Sequence, residues 1–409
     1  MKPAQHHSRL SLAAGRIALA AGVALLLGSG VFAEDEADSE AAVVEATVGY
    51  FPLEVDPAEH LDSIALPDGF HISIYRDGLE AARSMAMSES GTLFLGTHSN
   101  RSRDKIGKVY AVTNPDGDGR GDHVKVVVEG FNVPNGVALR DGDLYVAEIH
   151  RVTRFDAIES RLESPPEPVV IDDSFPDEYH HGWKYLRFGP DGRLYVPVGA
   201  PCNICEPEAG QGTIVSLAPD GSDKRVYADG VRNSVGFDWD PATGDLWFTD
   251  NGRDLWGDDT PPEELNHAPA EGAHFGYPYR YGRDLVDDSF STDLTDVDFT
   301  GAALEFPAHN ALLGMRFYTG EQFPADYRGD LFIASRGSWN REVPDGYKIY
   351  RVRMEQGRAV AWEEFATGWL TQDKKFWGRP VDIEIAPDGS LLVSDDFNGL
   401  VYRISYGSG

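Results

Sequence analysis

The residues of this 409-residue chain that could do chemistry fall at related places. Arg83, Asn135, His180 and His181 with Lys184, Arg232 with Asn233, and Arg379 each stand zero to a few residues before a short apolar run. His309 stands likewise ahead of Gly314-Met-Arg-Phe317. Guanidinium groups bind carboxylates through paired, charge-assisted bonds, and imidazole takes up and releases protons near neutrality. The chain carries 36 Lys and Arg against 67 Asp and Glu, a net charge of −31, so a recurrent basic position runs against the composition. It points to an anionic ligand bound beside a proton acceptor. The alternative is a scatter of surface arginines paired with the surplus of carboxylates.

Other motifs carry less. The two cysteines, Cys202 and Cys205, stand in Pro-Cys-Asn-Ile-Cys-Glu206. A haem attachment would need His where Glu206 stands, a zinc site needs two further ligands, and a redox dithiol usually opens a helix after a strand. A small disulfide-closed loop is the expectation in an exported chain. Asn114-Pro-Asp116-Gly-Asp118-Gly119 resembles the start of a calcium-binding EF-hand loop, but its twelfth position is Lys125, which favours a plain turn. Gly117-Asp-Gly-Arg-Gly-Asp122 lacks the third glycine of a dinucleotide fingerprint, and its Arg-Gly-Asp is an adhesion tripeptide by letters only.

The elements that must position these residues repeat. Turn–Gly–x–apolar phrases occur at Gly91, Gly142, Gly192, Gly244, Gly329 and Gly389, each followed by a run such as Asp-Leu-Tyr-Val or Asp-Leu-Phe-Ile. Most intervals are near 50 residues, and the fourth is longer. Each phrase follows a second apolar run, which predicts a hairpin, and third and fourth strands are legible after most of them. A hairpin period near 50 is a propeller signature. The spacing predicts an all-β, six-bladed β-propeller over 61–409 with four antiparallel strands per blade and a loop insertion at about 254–305 in the fourth. The last unit has three strands, and His71–Tyr75 before the first has the outer-strand pattern, so pairing the two is expected to close the ring. Loops leading into the innermost strands then open on one face, where the basic residues and histidines would meet.

Forty-four Gly and 25 Pro suit short strands and turns. A chain this acidic repels a phosphate backbone, so nucleic acid is excluded as a partner. Residues 1–33 place Lys2, Arg9 and Arg16 before a short apolar stretch and Val31-Phe32-Ala33, a secretory signal pattern. Residues 34–60 read as an acidic, solvated leader. The expectation is a secreted or periplasmic protein that does not span a membrane after cleavage; the alternative is an uncleaved anchor.

From about Leu66 to Tyr406 the chain resembles the soluble quinoprotein dehydrogenases, especially the glucose/sorbosone dehydrogenase branch. The matching stretches include His180-His-Gly-Trp-Lys-Tyr-Leu-Arg-Phe-Gly-Pro-Asp-Gly192, Gly230-Val-Arg-Asn-Ser-Val-Gly-Phe-Asp-Trp239, Glu263-Glu-Leu-Asn266, Gly337-Ser-Trp-Asn-Arg341 and Trp377-Gly-Arg-Pro380. The Cys-Asn-Ile-Cys loop also looks like this branch. The resemblance implies a six-bladed propeller that binds pyrroloquinoline quinone (PQQ) and calcium and oxidises an aldose or related sugar or aldehyde hydrate. It implies that His181 takes the hydroxyl proton as hydride leaves the same carbon, and that Arg232, with Asn233, steadies charge developing on the quinone. Asn135, Arg336 and Arg379 would bind the cofactor, and Gly252 and Arg253 would lend carbonyl oxygens to Ca²⁺. His180 stands where the family has an acidic partner, and Asn135 where the glucose enzyme has glutamine. With no haem motif, electrons would pass to an external acceptor, a cytochrome or a quinone. Two other function classes share the fold: a non-catalytic propeller binding carbohydrate or protein, and a calcium-dependent lactonase-type hydrolase.

Overall fold

Each of the six recurring glycines sits where only glycine turns without strain: φ is +89° at Gly91, +83° at Gly142, +77° at Gly192, +79° at Gly244, +85° at Gly329 and +85° at Gly389. A computed structural model of the chain describes residues 52–98, 107–290 and 297–407. There the phrases become hairpins between the first and second strands of six four-stranded antiparallel units.

Blade 1 comprises Ala82–Met87, Leu93–Thr97, Gly107–Thr113 and His123–Phe131. Blade 2 comprises Gly136–Arg140, Asp143–Ala147, Val152–Phe155 and Val169–Asp172; blade 3, Arg187–Phe188, Leu194–Val198, Thr213–Leu217 and Arg225–Asp229. Blade 4 is built from Phe237–Trp239, Leu246–Asp250, Glu263–Ala268 and Leu304–Phe306, and blade 5 from Leu312–Phe317, Leu331–Ser335, Lys348–Glu355 and Arg358–Ala366. Blade 6 contains Pro380–Ile385, Leu391–Asp395 and Leu400–Tyr406, and its outermost strand is Phe70–Arg76, paired antiparallel with Phe70 opposite Tyr406.

A propeller blade is apolar on both faces because it packs between two others. The second strands of blades 1, 3, 4, 5 and 6 are buried along their whole length, whereas the outer strands of blades 2 and 3 are largely exposed or half-exposed. Six hydrophobic clusters result, one at each interface between neighbouring blades. Leu93 and Leu95 of blade 1, for example, pack on Leu392 and Val401 of blade 6. Fully burying one such side chain contributes roughly 1.5–3 kcal/mol.

Two local expectations change. Within the span read as an insertion, Glu263–Ala268 is a full strand, pairing with both Leu246–Asp250 and Leu304–Phe306. Its Glu-Glu-Leu-Asn-His lettering reads as a loop, but Glu263 and Glu264 are buried and accept backbone N–H groups from neighbouring loops. The rest of the insertion adds Ala273–His274 in parallel to the edge of blade 3, plus a small hairpin, Arg280–Tyr281 with Leu285–Val286. Of the expected leader, residues 52–60 lie on the propeller: Leu53 N–H donates to Phe376 O (2.8 Å), and Leu53 and Val55 pack on the cluster between blades 5 and 6. The expected signal, 1–33, lies outside the described residues. No helix among the described residues is long and apolar enough to cross a membrane.

Candidate active site

In an antiparallel four-stranded blade, the link from one blade's outer strand to the next blade's inner strand ends on the same face as the hairpin joining its second and third strands. Both loop types meet here around a cavity of about 320 Å³, at the lower end of the roughly 300–1,000 Å³ of small-molecule sites. The first type supplies His180, His181, Asn233, Arg232 and His309; the second supplies Asn203, Asp254, Trp339 and Asn340; Arg83 lies near the start of blade 1.

His181 is buried in a left-handed turn (φ +51°), and Gly199 lets it in: a Cβ at 199 would lie 2.5 Å from the His181 Cβ. Its Nδ1 is 2.9 Å from Ala200 O. A carbonyl only accepts, so Nδ1 carries the proton and Nε2 keeps a lone pair. Burial, then Arg232 and His180, hold the imidazolium form well below the usual histidine range. His181 is therefore a neutral imidazole with a free basic nitrogen. The ring of His180 lies 4.0 Å from it, centroid to centroid.

Arg232, 2% exposed, is held on nearly every side. Nε donates to Asn203 O (3.0 Å), Nη1 to Asn251 O (2.9 Å), and Nη2 to Asn203 Oδ1 (2.8 Å) and Asp254 Oδ2 (3.3 Å). The backbone N–H groups of Arg232 and Asn233 share the Asp250 carboxylate, at 2.8 and 2.6 Å. Across the mouth, Arg83 Nη1 and Arg336 Nε both donate to Asp396 Oδ2, at 3.1 and 2.9 Å. Burial pushes the Asp396 carboxyl up, but Arg336, Arg83 and Arg379 outweigh it and hold it at about 2.

Glu263 closes the wall between blades 4 and 5: it accepts Gly252 N–H (3.1 Å) and Ala311 N–H (3.0 Å), and burial pushes it up to about 8. His309, at φ +62°, has Nε2 2.7 Å from Gly257 O, so its Nδ1 accepts from Asn340 Nδ2 at 3.4 Å. Arg341 reaches Asp259 and the carbonyls of Asp258 and Ala308, clasping the 253–260 loop to the 336–347 hairpin.

Of the residues expected from the sequence, His181, Arg232, Asn233, Arg336 and Gly252 line one cavity, with Arg83, His180 and His309. Three do not. Asn135 is fully buried and donates to Ser84 Oγ (3.1 Å) and Lys184 O (2.7 Å). Arg379 lies over the rings of Phe376 and Phe397, at 4.4 and 5.6 Å. The Arg253 guanidinium turns to Asp287 (2.6 Å) and Trp256. Among the lining residues, Asp254 and Glu263 belong to a stretch whose acidity reads as cation-attracting or simply solvated, and Asn203, Leu255, Trp339 and Asn340 carry no role in the sequence reading. Their signal was length: the connections after the second strands of blades 3, 4 and 5 span 199–212, 251–262 and 336–347, against 148–151 in blade 2.

Two orphaned atoms test which groups this wall fits. Arg83 Nε is buried without a hydrogen-bond partner, a donor suited to an anion. Asn340 Oδ1 is buried without one too, an acceptor beside Asp254 and Glu263 in an oxygen-rich wall suited to a hard cation. A polycarboxylate cofactor with Ca²⁺ fits both. Elsewhere, Cys202 and Cys205 form the expected disulfide. Asp116, Asp118 and Asp122 bring oxygens within 4.8 Å of one another on the exposed surface, where Asn114, Asp116 and Asp118 cap backbone N–H groups of their own turn.

A family model described as Glucose / Sorbosone dehydrogenase matches residues 147–403. A protein of Borreliella burgdorferi described as uncharacterized is 30% identical over 364 residues, covering 85% of this chain and 93% of its own. Among solved structures, the holo form of the pyranose dehydrogenase PQQ domain from Coprinopsis cinerea is 20% identical, covering 84% of this chain and 97% of that one with a TM-score of 0.67. The calcium structure of the Trichoderma reesei carbohydrate-active enzyme of family AA12 is also 20% identical, covering 87% and 98% with a TM-score of 0.72. At such identity the two structures speak for the fold.

Proposed function

We propose an activity for this chain, which belongs to the glucose/sorbosone dehydrogenase family: PQQ- and calcium-dependent oxidation of an aldose or related sugar hydroxyl, with electrons leaving to an external cytochrome or quinone. The observation that carries it is a neutral imidazole with a free nitrogen beside buried guanidinium groups, in a chain otherwise dominated by carboxylates.

When bound, PQQ supplies a two-electron acceptor for the hydride that the substrate carbon gives up. Arg83 and Arg336 would hold its carboxylates, and the Gly252–Arg253 backbone with Asn340 Oδ1 would supply oxygens to Ca²⁺. His181 Nε2 takes the hydroxyl proton, because Ala200 O fixes the other nitrogen as a donor. Arg232, immobilised before any substrate arrives, offers its charge at no reorganisation cost to negative charge developing in the cavity. Trp183 and Trp339 give the wall two apolar faces on which a sugar ring could lie. Export to the periplasm or medium belongs to the same proposal, supported by the N-terminal pattern and the disulfide.

The test adds PQQ and Ca²⁺ to purified protein and follows bleaching of a redox dye across a panel of sugars. Bleaching that needs both additions and stops with a calcium chelator is expected. Failure to bind PQQ at all would remove the dehydrogenase reading and leave a binding propeller or a hydrolase.

A further inference from the structure

Arg232 cannot hold its own position. It stands in the link between blades 3 and 4, outside any strand, and a long guanidinium side chain samples many rotamers unless its planar edge is matched. The edge formed by Nε and Nη2 is matched by one residue. Asn203 takes Nε on its main-chain oxygen (3.0 Å) and Nη2 on its side-chain oxygen (2.8 Å). The same Oδ1 accepts Asp254 N–H (2.8 Å), which sets the carboxylate that also accepts Nη2. A neutral amide serves here where an aspartate would not: it orients the guanidinium without adding a second carboxylate beside Asp254, so the arginine's charge stays available to the cavity.

Asn203 is in turn held by a device with no other evident purpose. It sits between Cys202 and Cys205, in a connection that belongs to no strand. The disulfide closes that short loop with Asn203 directed into the cavity wall. On the far side, the buried Tyr277 hydroxyl accepts Cys205 N–H (3.2 Å) and lies 3.7 Å from Cys202 Sγ. The loop is thus pinned outward by Tyr277 and inward by Arg232.

We infer that Asn203 is a positioning residue for Arg232, and that the Cys202–Cys205 disulfide is what keeps Asn203 in place. The consequence for turnover rests on the proposed quinoprotein activity; the positioning itself does not.

The test therefore has one arm that needs no cofactor. In full-length protein labelled with ¹⁵N-arginine, the Arg232 Nη–H resonances are assigned by their loss in Arg232→Lys. In Asn203→Ala, which removes the Oδ1 acceptor of Nη2, and in Cys202→Ser/Cys205→Ser, exchange of the Nη2 protons with solvent is expected to speed up by about tenfold or more, the scale of one lost charged hydrogen bond, while the melting temperature hardly moves. The second arm titrates PQQ with Ca²⁺ by fluorescence quenching. Asn203→Ala is expected to weaken binding by about tenfold in the native background and to add nothing in Arg232→Lys, the non-additivity of residues acting through one another. Unchanged Arg232 exchange in Asn203→Ala would overturn the inference, as would additive losses in the double variant. Unchanged exchange in the cysteine variant would remove the disulfide from it. If the native protein binds no PQQ, the cofactor reading fails, and the exchange arm still decides the role of Asn203.

Discussion

Two buried arginines on the propeller axis carry their charge in opposite ways. Inner strands run from the cavity face to the other end, so Arg83, second in Ala82–Met87, lies at the mouth, while Arg316, fifth in Leu312–Phe317, lies near the far end. Both are almost inaccessible. Burial pulls Arg83 down to about 10, with Asp396 opposing and Arg336 and Arg379 adding to the fall. Burial pulls on Arg316 as well, yet Glu384, Tyr185, Asp382 and Asp238 outweigh it and raise it well above the usual arginine range. Arg316 donates to Tyr185 Oη (2.6 Å), Glu384 Oε2 (2.9 Å) and Met315 O (2.7 Å), and Arg187 adds a contact to Asp238 at 3.1 Å. The far end is a charge-balanced plug. At the mouth, positive charge is concentrated, and the basic groups share few acids. Buried charge kept in balance serves the fold, and buried charge held in excess is set out for a ligand.

Substitutions can break this comparison. His181→Ala should have the largest effect, lowering dye-linked sugar oxidation by about 10²–10⁴-fold with the melting temperature little changed, because it removes a proton acceptor that lies outside the hydrophobic clusters between blades. Arg316→Ala should do the reverse. It leaves Glu384 buried without its main partner, a loss of about 3–5 kcal/mol in urea unfolding, with sugar oxidation retained at temperatures where the variant is folded. If Arg316→Ala abolished PQQ binding in folded protein, the contrast between the two ends would be wrong. Gly199→Ala should sharpen the contrast within the mouth. The new methyl meets His181, and overpacking of about 1–3 kcal/mol should fall on activity more than on stability, read as kcat against the melting temperature.

The smallest effect is on pH. His181 in the folded protein is held below its ordinary value, so the unfolded chain binds the extra proton first as pH falls. Its contribution to stability is full above about 6.5, the ordinary histidine value, and declines as pH falls from there toward its folded value. The acid limb of kcat/KM should therefore lie below 6.5 in the native protein. Arg232 is the largest named charge holding His181 down, so Arg232→Gln should move the limb upward in pH–rate profiles. A limb that stayed in place would mean that Arg232 does not act on His181 electrostatically.

Much of the fold was legible because its signals are local. A glycine at positive φ between two apolar runs needs no tertiary information to be read as a hairpin, and all six such glycines proved to turn that way. The strand Glu263–Ala268 was not legible, because its buried carboxyl groups are satisfied by backbone N–H groups from distant loops that no residue pattern announces. Half of the candidate site was legible for a similar reason. His181, Arg232 and Asn233 occupy recurring positions within family motifs, Arg336 stands beside one, and all four line one cavity.

The other half had no such marker. Asn135 and Arg379 stand at the same phase of the repeat, yet Asn135 is turned into a hydrogen-bonded wall and Arg379 onto two phenylalanine rings. Side-chain direction there is set by tertiary neighbours, Ser84 and Lys184 for Asn135 and the two phenylalanines for Arg379. Asn203, Asp254 and Asn340 come from loops 51 to 137 residues apart in the chain and meet through bonds to one another and to Arg232. The sequence by itself determined the blade count, the turns and the face on which histidine and arginine gather, since these follow from short-range periodicity. Only the tertiary structure decided which charges are balanced and which stay in excess, because that balance depends on distances between groups that chain order does not contain.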